Sequence, residues 1–590
     1  MQRAIPRATS DEIDLYIQTY TSLLRSSGEV RVRAFEEAHA FSKSSLHEGA
    51  LSSRPDISAF AYAAGRLPDE MPEVRLVVLG QSHEVFEAAG FPVRTWRGLR
   101  TRGRRRPLRY DDAGTLAVFI ASESDIDDLV PILTAWQIEW NKMHAALRGI
   151  ASTLAASHGV GPELPSREVL AQLLGFDVSD VAKLEEALRP AHFDARIRSI
   201  AAAPADVRVR MLAPSYSQYQ RAAQRWWSGV EPTYLGPPPK RRRPVYFVSS
   251  NTHSIANVLG GFALSHQDAL VDYARRKNPE GLADTLDAAL ASNDRHALCS
   301  LLYYVMRGYL HESPGEARIQ TARAFEAESG VIHLAEPGHL EIDAQLIELS
   351  KLKPERLDPR LDVRGLDALA KSDAVLVNID YPLGRSAYHL LSRIGQGVGE
   401  LRGVYVTGKA ATLNGRVGDV LLSDVVHDEH TSNTFLFRNV FGARDVAGYL
   451  RHGSVFDNQA ALTVRSAFLQ NHELMGAVYK NGYTVLEMEA GPFLSAVYEL
   501  VEPNSVPQNE IVHMTRDLPF DVGFLHYASD TPYSRRQSLL SKSMSYFGVE
   551  ATYACSLAIV RRILEVEVSR IGGVPVRPSF VPPPPPTTSR

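Results

Sequence analysis

Hydrophobic and polar positions in the first part of the chain follow two different periods. From residue 11 to about residue 65, apolar residues recur with helical spacing until Pro55 interrupts the pattern. The apolar runs at 75–80 and 115–120 instead have the continuous hydrophobicity of strands buried on both faces. The pattern predicts a helical segment at 1–70 and a small parallel α/β unit at 71–150.

The middle of the chain returns to helical spacing before strands reappear. Residues 151–235 predict a helical region, and the stiff, charged stretch 236–244 is typical of a linker. A buried-strand signal at 245–248 opens an α/β unit of unknown role, 245–369, in which 341–349 predicts a helix. The polar cluster from Ser249 to His253 indicates either an anion site at a helix N-terminus or plain helix capping.

Short apolar runs dominate the chain from about residue 371, and most of them end in polar or small residues. The runs are 374–379, 403–407, 419–422, 483–486 and 523–527. They predict a domain at 370–570 whose sheet presents its strand ends to a ligand. The proline-rich tail at 573–590 predicts disorder. The expected fold class is therefore multidomain α/β, with a C-terminal mixed sheet flanked by helices and with N-terminal helical and small α/β units.

Composition narrows the class of protein further. With 44% hydrophobic and 22% charged residues the chain can fold, and its net charge of -4 gives no overall attraction to nucleic acid or membrane. Eight arginines between Arg94 and Arg109 could bind phosphates, or they could form a solvated basic loop. Cys299 and Cys555 are too far apart in sequence to suggest a redox or zinc pair. We expect a cytoplasmic protein with no membrane partner and with nucleic acid an unlikely partner.

Three segments of the last third contain residues suited to catalysis. The segment 406–424 reads VTGKAATLNGRVGDVLLSD, the segment 486–490 reads LEMEA, and the segment 527–532 reads YASDTP. In this order they resemble motifs of the superfamily of purine nucleoside phosphorylases and nucleosidases. The resemblance covers about 370–570, and the ancillary units before it are similar to the layout of AMP nucleosidase. It implies a nucleoside phosphorylase-like C-terminal domain.

The resemblance also implies roles for individual residues. Glu489 would accept hydrogen bonds from the ribose hydroxyls, and Asp530 would protonate N7 of the purine as the glycosidic bond breaks. Phe456 could stack on the base, although a core position is equally open to an aromatic residue on a strand. The residues expected to bind the substrate are Glu487, Met488, Phe456, Ser529, Gly408, Lys409, Ala410 and Arg385.

Departures from the family pattern decide between related activities. The family's phosphorylases usually carry an arginine just before the small-residue loop, whereas 404–407 here reads VYVT, which weakens phosphorolysis. Lys409 or Arg385 could supply a cation for inorganic phosphate or for a 5'-phosphate, or each could be a solvated surface charge. The leading hypothesis is hydrolysis of a purine nucleoside or 5'-mononucleotide. The alternatives are a phosphate-dependent phosphorylase and an inactive nucleotide-binding sensor or scaffold.

Two other motifs give weaker indications of function. The stretch 403–409 nearly spells a P-loop, but Ala410 stands where a magnesium-binding Ser or Thr is needed, which disfavours a nucleotide triphosphatase. The cluster from His427 to His430 lacks the spacing of a known metal site. We therefore expect no metal and no cofactor, with inorganic phosphate as a possible co-substrate. A homo-oligomer is implied by the resemblance alone.

Overall fold

The structure is a computed structural model that describes residues 11–103, 106–151, 164–212, 216–236, 241–313, 315–502, 504–515, 518–532 and 546–573. Most of the predicted proline-rich tail, 574–590, and part of the predicted linker, 237–240, lie outside these ranges. Among the described residues, no helix has both the length and the apolar character that a membrane crossing requires.

Helices and strands alternate along the described chain. The helices are α1 (Asp11–Ser26), α2 (Arg33–Phe41), α3 (Ile57–Ala64), α4 (His83–Ala88), α5 (Glu123–Leu147), α6 (Arg167–Leu174), α7 (Val178–Leu188), α8 (Phe193–Ala202), α9 (Tyr216–Leu235), α10 (Thr252–Gly260), α11 (Phe262–Ser265), α12 (Gln267–Lys277), α13 (Ala283–Ala291), α14 (Arg295–His311), α15 (Gly315–Ala327), α16 (Arg385–Gly397), α17 (Ala443–Ala447), α18 (His472–Lys480), α19 (Ala490–Val501) and α20 (Tyr546–Gly572). The strands are β1 (Val30–Arg31), β2 (Leu76–Gly80), β3 (Arg97–Leu99), β4 (Leu108–Tyr110), β5 (Thr115–Phe119), β6 (Arg208–Met211), β7 (Pro244–Ser249), β8 (Val331–Leu334), β9 (Ala344–Glu348), β10 (Val375–Ile379), β11 (Glu400–Thr412), β12 (Val420–Asp428), β13 (Asn433–Phe437), β14 (Val455–Thr463), β15 (Val485–Glu487), β16 (Ile511–Met514) and β17 (Asp521–Asp530). The expected mixed α/β fold class is confirmed.

A first sheet organises the N-terminal unit, which we define as the described residues of 11–212. Its strand order is β1-β6-β2-β5-β4-β3, and β2 and β5 pair in parallel as predicted. The segment between them holds not only α4 but also the antiparallel pair β3 and β4. The region predicted as purely helical, 151–235, also contributes β6, whose four residues are too few to show a period.

The second sheet corrects the expected division between 245–369 and 370–570. Both stretches supply strands to it, because β7 pairs in parallel with β10 and with β11. All six residues of β7 are buried, so the strand needs neighbours on both sides and on both faces. The residues expected to form a helix at 341–349 contain β9, antiparallel to β10. An apolar run of this length cannot distinguish a strand from a buried helix.

Five strands of the second sheet close into a ring. β11 pairs with β17, β17 with β12, β12 with β14, β14 with β15, and β15 returns to β11. Closure leaves these strands without a free edge. The predicted loop containing Gly408, Lys409 and Ala410 is part of β11, which continues to Thr412.

A continuous apolar cluster joins the N-terminal unit to this ring. This cluster, which we call the shared core, includes Tyr62 of the N-terminal unit together with Leu462, Phe468 and Leu486. The first turn of α5 adds polar contacts. The Ser124 Oγ lies 3.0 Å from the His430 Nε2 and accepts a hydrogen bond from the Arg385 backbone N–H.

Candidate functional site

A β-bulge near the end of β17 determines the direction of the Asp530 side chain. Ala410 of β11 pairs with Ala528, and the next residue, Ala411, pairs with Asp530, so Ser529 is an extra residue in β17. Paired residues direct their side chains to the same face of a sheet. The Asp530 carboxyl therefore lies on the face of β11 that carries Ala411.

The strand β15, which leads into the Glu-Met-Glu segment, lies across β11 from Asp530. Leu486 pairs with Ala411 from the opposite side, so one strand separates it from Asp530. Neighbouring strands are about 4.8 Å apart, so Leu486 and Asp530, which are separated by β11, lie on the order of 10 Å from each other. That separation is comparable to the length of a nucleoside. Met488 packs against the shared core on this face, as Ala411 does.

Glu487 holds the turn between β15 and α19. Its Oε2 accepts hydrogen bonds of 2.7 Å from the backbone N–H groups of Glu489 and Ala490, and its Oε1 accepts one from the Thr463 hydroxyl. Burial raises the pKa of Glu487 to about 7, although these hydrogen bonds act in the opposite direction. The His526 Nε2 lies 3.8 Å from the Glu487 Oε2. Glu487 thus fixes the backbone that carries Glu489.

Glu489 occupies the N-cap position of α19 and is partly exposed. Helix N-termini favour negative charge, because the free N–H groups of the first turn point toward it. A carboxylate at this position can accept hydrogen bonds from a ligand. An ionised acceptor suits contact with sugar hydroxyls.

Asp530 is a buried acid, with 8% of its surface exposed. Burial raises its pKa, while a hydrogen bond from the Ser529 hydroxyl and the positive charges of Lys409 and Arg66 act in the opposite direction. The Ser529 Oγ donates to the Asp530 Oδ2 at 2.7 Å. A carboxyl group whose protonated form is favoured by burial is suited to donate a proton.

Lys409 brings a cation to the same face as Asp530. The two residues lie on that face because Lys409 precedes Ala411 by two positions in β11. Loss of hydration lowers the pKa of Lys409, the negative charge of Asp530 opposes this change, and Arg307 and Arg66 lower the pKa further. Although residue 409 is exposed, the protein around it withdraws part of the hydration of the ammonium group.

Arg66 comes to this site from the N-terminal unit. Its guanidinium lies over the Tyr62 ring, 3.4 Å from the ring centroid, and its Nη1 donates to the Tyr62 carbonyl at 3.1 Å. Tyr62 in turn meets Phe468 edge to face at 5.2 Å. Phe468 follows β14, whose last residue contacts Glu487. The N-terminal unit therefore covers the face on which Asp530 lies.

Four other residues predicted to bind the substrate contact neighbouring parts of the protein. Gly408 faces Tyr381, where an added Cβ would come within 3.5 Å of the ring. Ala410 is buried in an apolar core that also contains Val404 and Phe493. Phe456 lies near the start of β14, paired with Leu421, and packs against that same core. The backbone N–H of Arg385 binds Ser124.

The other sequence features that suggested ligands are engaged within the protein. Asn251, in the polar cluster after β7, caps α10 by accepting from the Ser254 N–H, as the capping interpretation predicts. In the His427 to His430 cluster, the His427 Nδ1 lies 2.9 Å from the Thr434 Oγ1. In the described ranges, no group of three or more His, Cys, Asp or Glu side chains is arranged to hold a metal ion.

The arginines between 94 and 109 that the structure describes largely serve intramolecular contacts. Arg94 pairs with Glu84 and Glu87, and Arg97 pairs with Glu70 and Asp112. Arg106 is buried between Asp125 and Asp128, and Arg102 donates to the carbonyls of Glu186 and Ala187. Arg104 and Arg105 lie outside the described residues. Arg94, Arg97, Arg100 and Arg102 are exposed to solvent, whereas Arg106 is buried.

The sequence analysis missed Arg66, Arg307, Tyr62 and Phe468. Arg66 and Tyr62 precede the Glu-Met-Glu motif by more than 400 positions, and nothing in the local pattern connects them to it. Arg307 lies on an ordinary amphipathic helix, α14. Phe468 offered a weak signal, since it follows the end of a strand close to the expected site.

The fold and the site define an α/β protein with a closed ring of strands, a buried carboxyl group on the face that carries Ala411 and an N-terminal unit that packs against this face. The family described as "Family of unknown function (DUF6909)" matches residues 32–565. The chain therefore belongs to this family, and the match includes both the N-terminal unit and the ring. No curated protein shows significant similarity to the chain.

Several solved structures with local similarity are nucleosidases and phosphorylases. A 5'-methylthioadenosine/S-adenosylhomocysteine nucleosidase from Neisseria meningitidis, in complex with methylthio-immucillin-A, is 14% identical, with 41% of this chain and 94% of that chain covered and a TM-score of 0.28. An S-adenosylhomocysteine nucleosidase from Streptococcus pyogenes is 8% identical, with coverage of 55% and 98% and a TM-score of 0.28. A uridine phosphorylase from Schistosoma mansoni, in complex with uracil, is 14% identical, with coverage of 34% and 73% and a TM-score of 0.24.

Proposed function

We propose that this protein is an enzyme that hydrolyses the N-glycosidic bond of a purine nucleoside or 5'-mononucleotide. The observation that carries the proposal is the position of Asp530. It is a buried carboxyl group with a raised pKa, and only β11 separates it from Leu486, which directly precedes the Glu-Met-Glu segment. The motifs that resemble those of nucleosidases and phosphorylases supply the expected roles.

The chemistry assigns one task to each carboxyl group. As the C1'–N9 bond breaks, its electron pair goes to the base, and protonated Asp530 transfers its proton to N7 to neutralise that charge. The sugar becomes oxocarbenium-like, and Glu489 holds its hydroxyls and places negative charge near the developing cation. Water then bonds to C1' and releases a proton. Met488, packed beside the shared core, offers an apolar surface to the sugar.

The reaction needs no metal or organic cofactor, and inorganic phosphate enters only if phosphorolysis replaces hydrolysis. In phosphorolysis a phosphate oxygen bonds to C1' in place of water, and the product is ribose 1-phosphate. The cation Lys409 beside Asp530 is the observation that favours keeping this second candidate. Assembly into a homo-oligomer is also part of the proposal and can be checked by light scattering on the full chain.

A base-release assay tests the proposal directly. The full-length protein would be incubated with AMP, adenosine, inosine and guanosine, with and without phosphate, and free base and sugar products separated by chromatography. Base release without phosphate, abolished in Asp530→Asn, supports the hydrolase. Ribose 1-phosphate that forms only with phosphate replaces the hydrolase with the phosphorylase. Binding of these compounds without release from any of them contradicts both and indicates a sensor or scaffold.

A further inference from the structure

Three polar side chains in contact join the N-terminal unit to the ring of strands. Ser124 lies in the first turn of α5, and its Oγ is 3.0 Å from the His430 Nε2. The His430 Nδ1 is 2.8 Å from the Oδ1 of Asp428, the last residue of β12. Ser124 and Asp428 are fully buried, and only 3% of the His430 side chain is exposed. We call these three residues the interface triad.

The hydrogen bonds of the interface triad run in one direction. Burial raises the pKa of Asp428, but its interactions with His430 and with the Thr431 hydroxyl outweigh this effect and lower the pKa. An ionised carboxylate can only accept hydrogen bonds, so the His430 Nδ1 carries the proton that it donates to Asp428. The Ser124 Oγ accepts the Arg385 backbone N–H at 3.0 Å, which leaves the hydroxyl proton of Ser124 for the His430 Nε2.

The Asp428 end of the interface triad lies against the first turn of α19. A Cβ on Gly491 would come within 2.5 Å of the Asp428 Cβ and within 2.9 Å of its Oδ1, so only glycine fits here without displacing Asp428. The Gly491 N–H also donates to the Thr463 Oγ1 at 2.8 Å. Glu489, the N-cap of the same helix, precedes Gly491 by two residues. The position of Asp428 therefore constrains the helix end that carries Glu489.

Serine, histidine and aspartate in this order also form nucleophilic triads. A nucleophile must reach its substrate, whereas Ser124 is fully buried against Gly384, where an added Cβ would collide with the Ser124 Oγ. Buried hydrogen bonds add little net stability but fix geometry, because each group loses its partner when the others shift. The interface triad is therefore suited to positioning, not to covalent catalysis.

We propose that the interface triad is the connection through which the N-terminal unit holds Glu489 in place for the sugar hydroxyls. Ser124, His430 and Asp428 are positioning residues, because they act through the first turn of α19. The proposal rests on the proposed function, since Glu489 is the residue assigned there to the sugar. It gives the N-terminal unit a part in the reaction that requires no contact with the substrate.

Hydrogen exchange tests the interface triad without any need for turnover. In the full-length protein, mass spectrometry would follow the backbone N–H groups of residues 489–493. Ser124→Ala should increase their exchange rate by about 2- to 10-fold, the equivalent of one lost hydrogen bond. Thr134→Val is the matched control, because it removes another fully buried hydroxyl from α5, about 15 Å further along the helix. It should leave this exchange unchanged.

Substrate preference tests whether the interface triad acts through Glu489. The kcat/KM values would be compared for adenosine and AMP and for their 2'-deoxy forms. Ser124→Ala should reduce the preference for the ribose forms by about 2- to 10-fold, because a displaced Glu489 holds the sugar hydroxyls less well. In a Glu489→Gln background the same substitution should cause no further reduction. Additive reductions in the double variant would overturn the proposal.

A second variant keeps the test decisive if Ser124→Ala does not fold. His430→Asn retains an N–H group for Asp428, but its side chain is too short to reach Ser124. It should therefore give the same increase in exchange at 489–493 and the same loss of preference for the ribose forms.

The failures of the two proposals are distinguishable. Unchanged exchange at 489–493 in both triad variants, or an equal increase in Thr134→Val, overturns the positioning role even when the wild-type protein releases base. Faster exchange confined to the triad variants, in a protein that releases no base, supports the connection to α19 and contradicts the proposed function.

Discussion

Replacement of Asp530 by asparagine removes the proposed proton donor and almost nothing else. Asparagine has the same shape, and its side-chain oxygen can still accept the hydrogen bond that the Ser529 hydroxyl donates at 2.7 Å. The amide cannot transfer a proton to a leaving base. The substitution therefore separates the chemical role of the carboxyl group from its role in packing.

The loss of Asp530 should affect both the rate of catalysis and the stability of the fold. General acid catalysis contributes about 100- to 10,000-fold to rate, or about 2.7 to 5.5 kcal/mol of transition-state stabilisation. Stability should change in the opposite direction. Burial raises the pKa of Asp530 in the folded state above its value in the unfolded state. The free energy of unfolding is therefore highest at low pH, where Asp530 is protonated, and it falls as the pH rises through the folded-state pKa. A neutral amide avoids that decline, and Tm at pH 7 should be equal or higher.

The assay combines single-turnover base release with thermal unfolding. The expected result for Asp530→Asn is a kcat/KM at least 100-fold below wild type, with a Tm no lower than that of wild type. Arg275→Gln serves as the control, because it changes only an exposed ion pair with Asp287 and should leave kcat/KM unchanged. A variant that retains more than a tenth of wild-type kcat/KM with an unchanged Tm would show that Asp530 is not the proton donor.

Three further substitutions test other parts of the structure. Glu489→Gln should lower kcat/KM for ribonucleosides by about 10- to 100-fold and for 2'-deoxyribonucleosides by less; equal losses for both would contradict contact with the sugar hydroxyls. Ser529→Ala removes a hydrogen bond that lowers the pKa of Asp530, so the alkaline limb of the pH profile of kcat/KM should move to higher pH, and a downward shift would refute the assignment. Arg106→Met removes the cation that pairs with the buried carboxylates of Asp125 and Asp128 and should cost about 3 to 5 kcal/mol in urea unfolding, whereas Arg97→Met breaks only exposed ion pairs and should cost much less; similar costs would disprove the importance of burial.

The sequence pattern predicted the elements that carry the candidate site more successfully than their connections. The apolar runs at 374–379, 419–422 and 523–527 correspond to β10, β12 and β17, because continuous hydrophobicity is the direct consequence of burial on both faces. The closed ring and the sheet shared by 245–369 and 370–570 depend on pairing between distant strands. Hydrophobic periodicity contains no information about such pairing.

The same limit applies to the residues of the site. Asp530 and Glu489 lie in recognisable motifs, and the structure brings their segments to the two sides of Ala411. The bulge at Ser529 that orients Asp530 has no sequence signal as strong as a glycine or proline. Arg66 stacks on Tyr62, and Tyr62 packs on Phe468, which is a tertiary contact between distant parts of the chain.

The shared core has a practical consequence for anyone who would shorten this chain. A fragment beginning at Pro244 would retain every strand of the ring, yet it would expose to water the side chains of Leu462, Phe468 and Leu486, which Tyr62 and its neighbours now cover. Apolar patches of this kind promote aggregation. Such a fragment would precipitate or self-associate during purification, so expression trials should keep the first 243 residues attached.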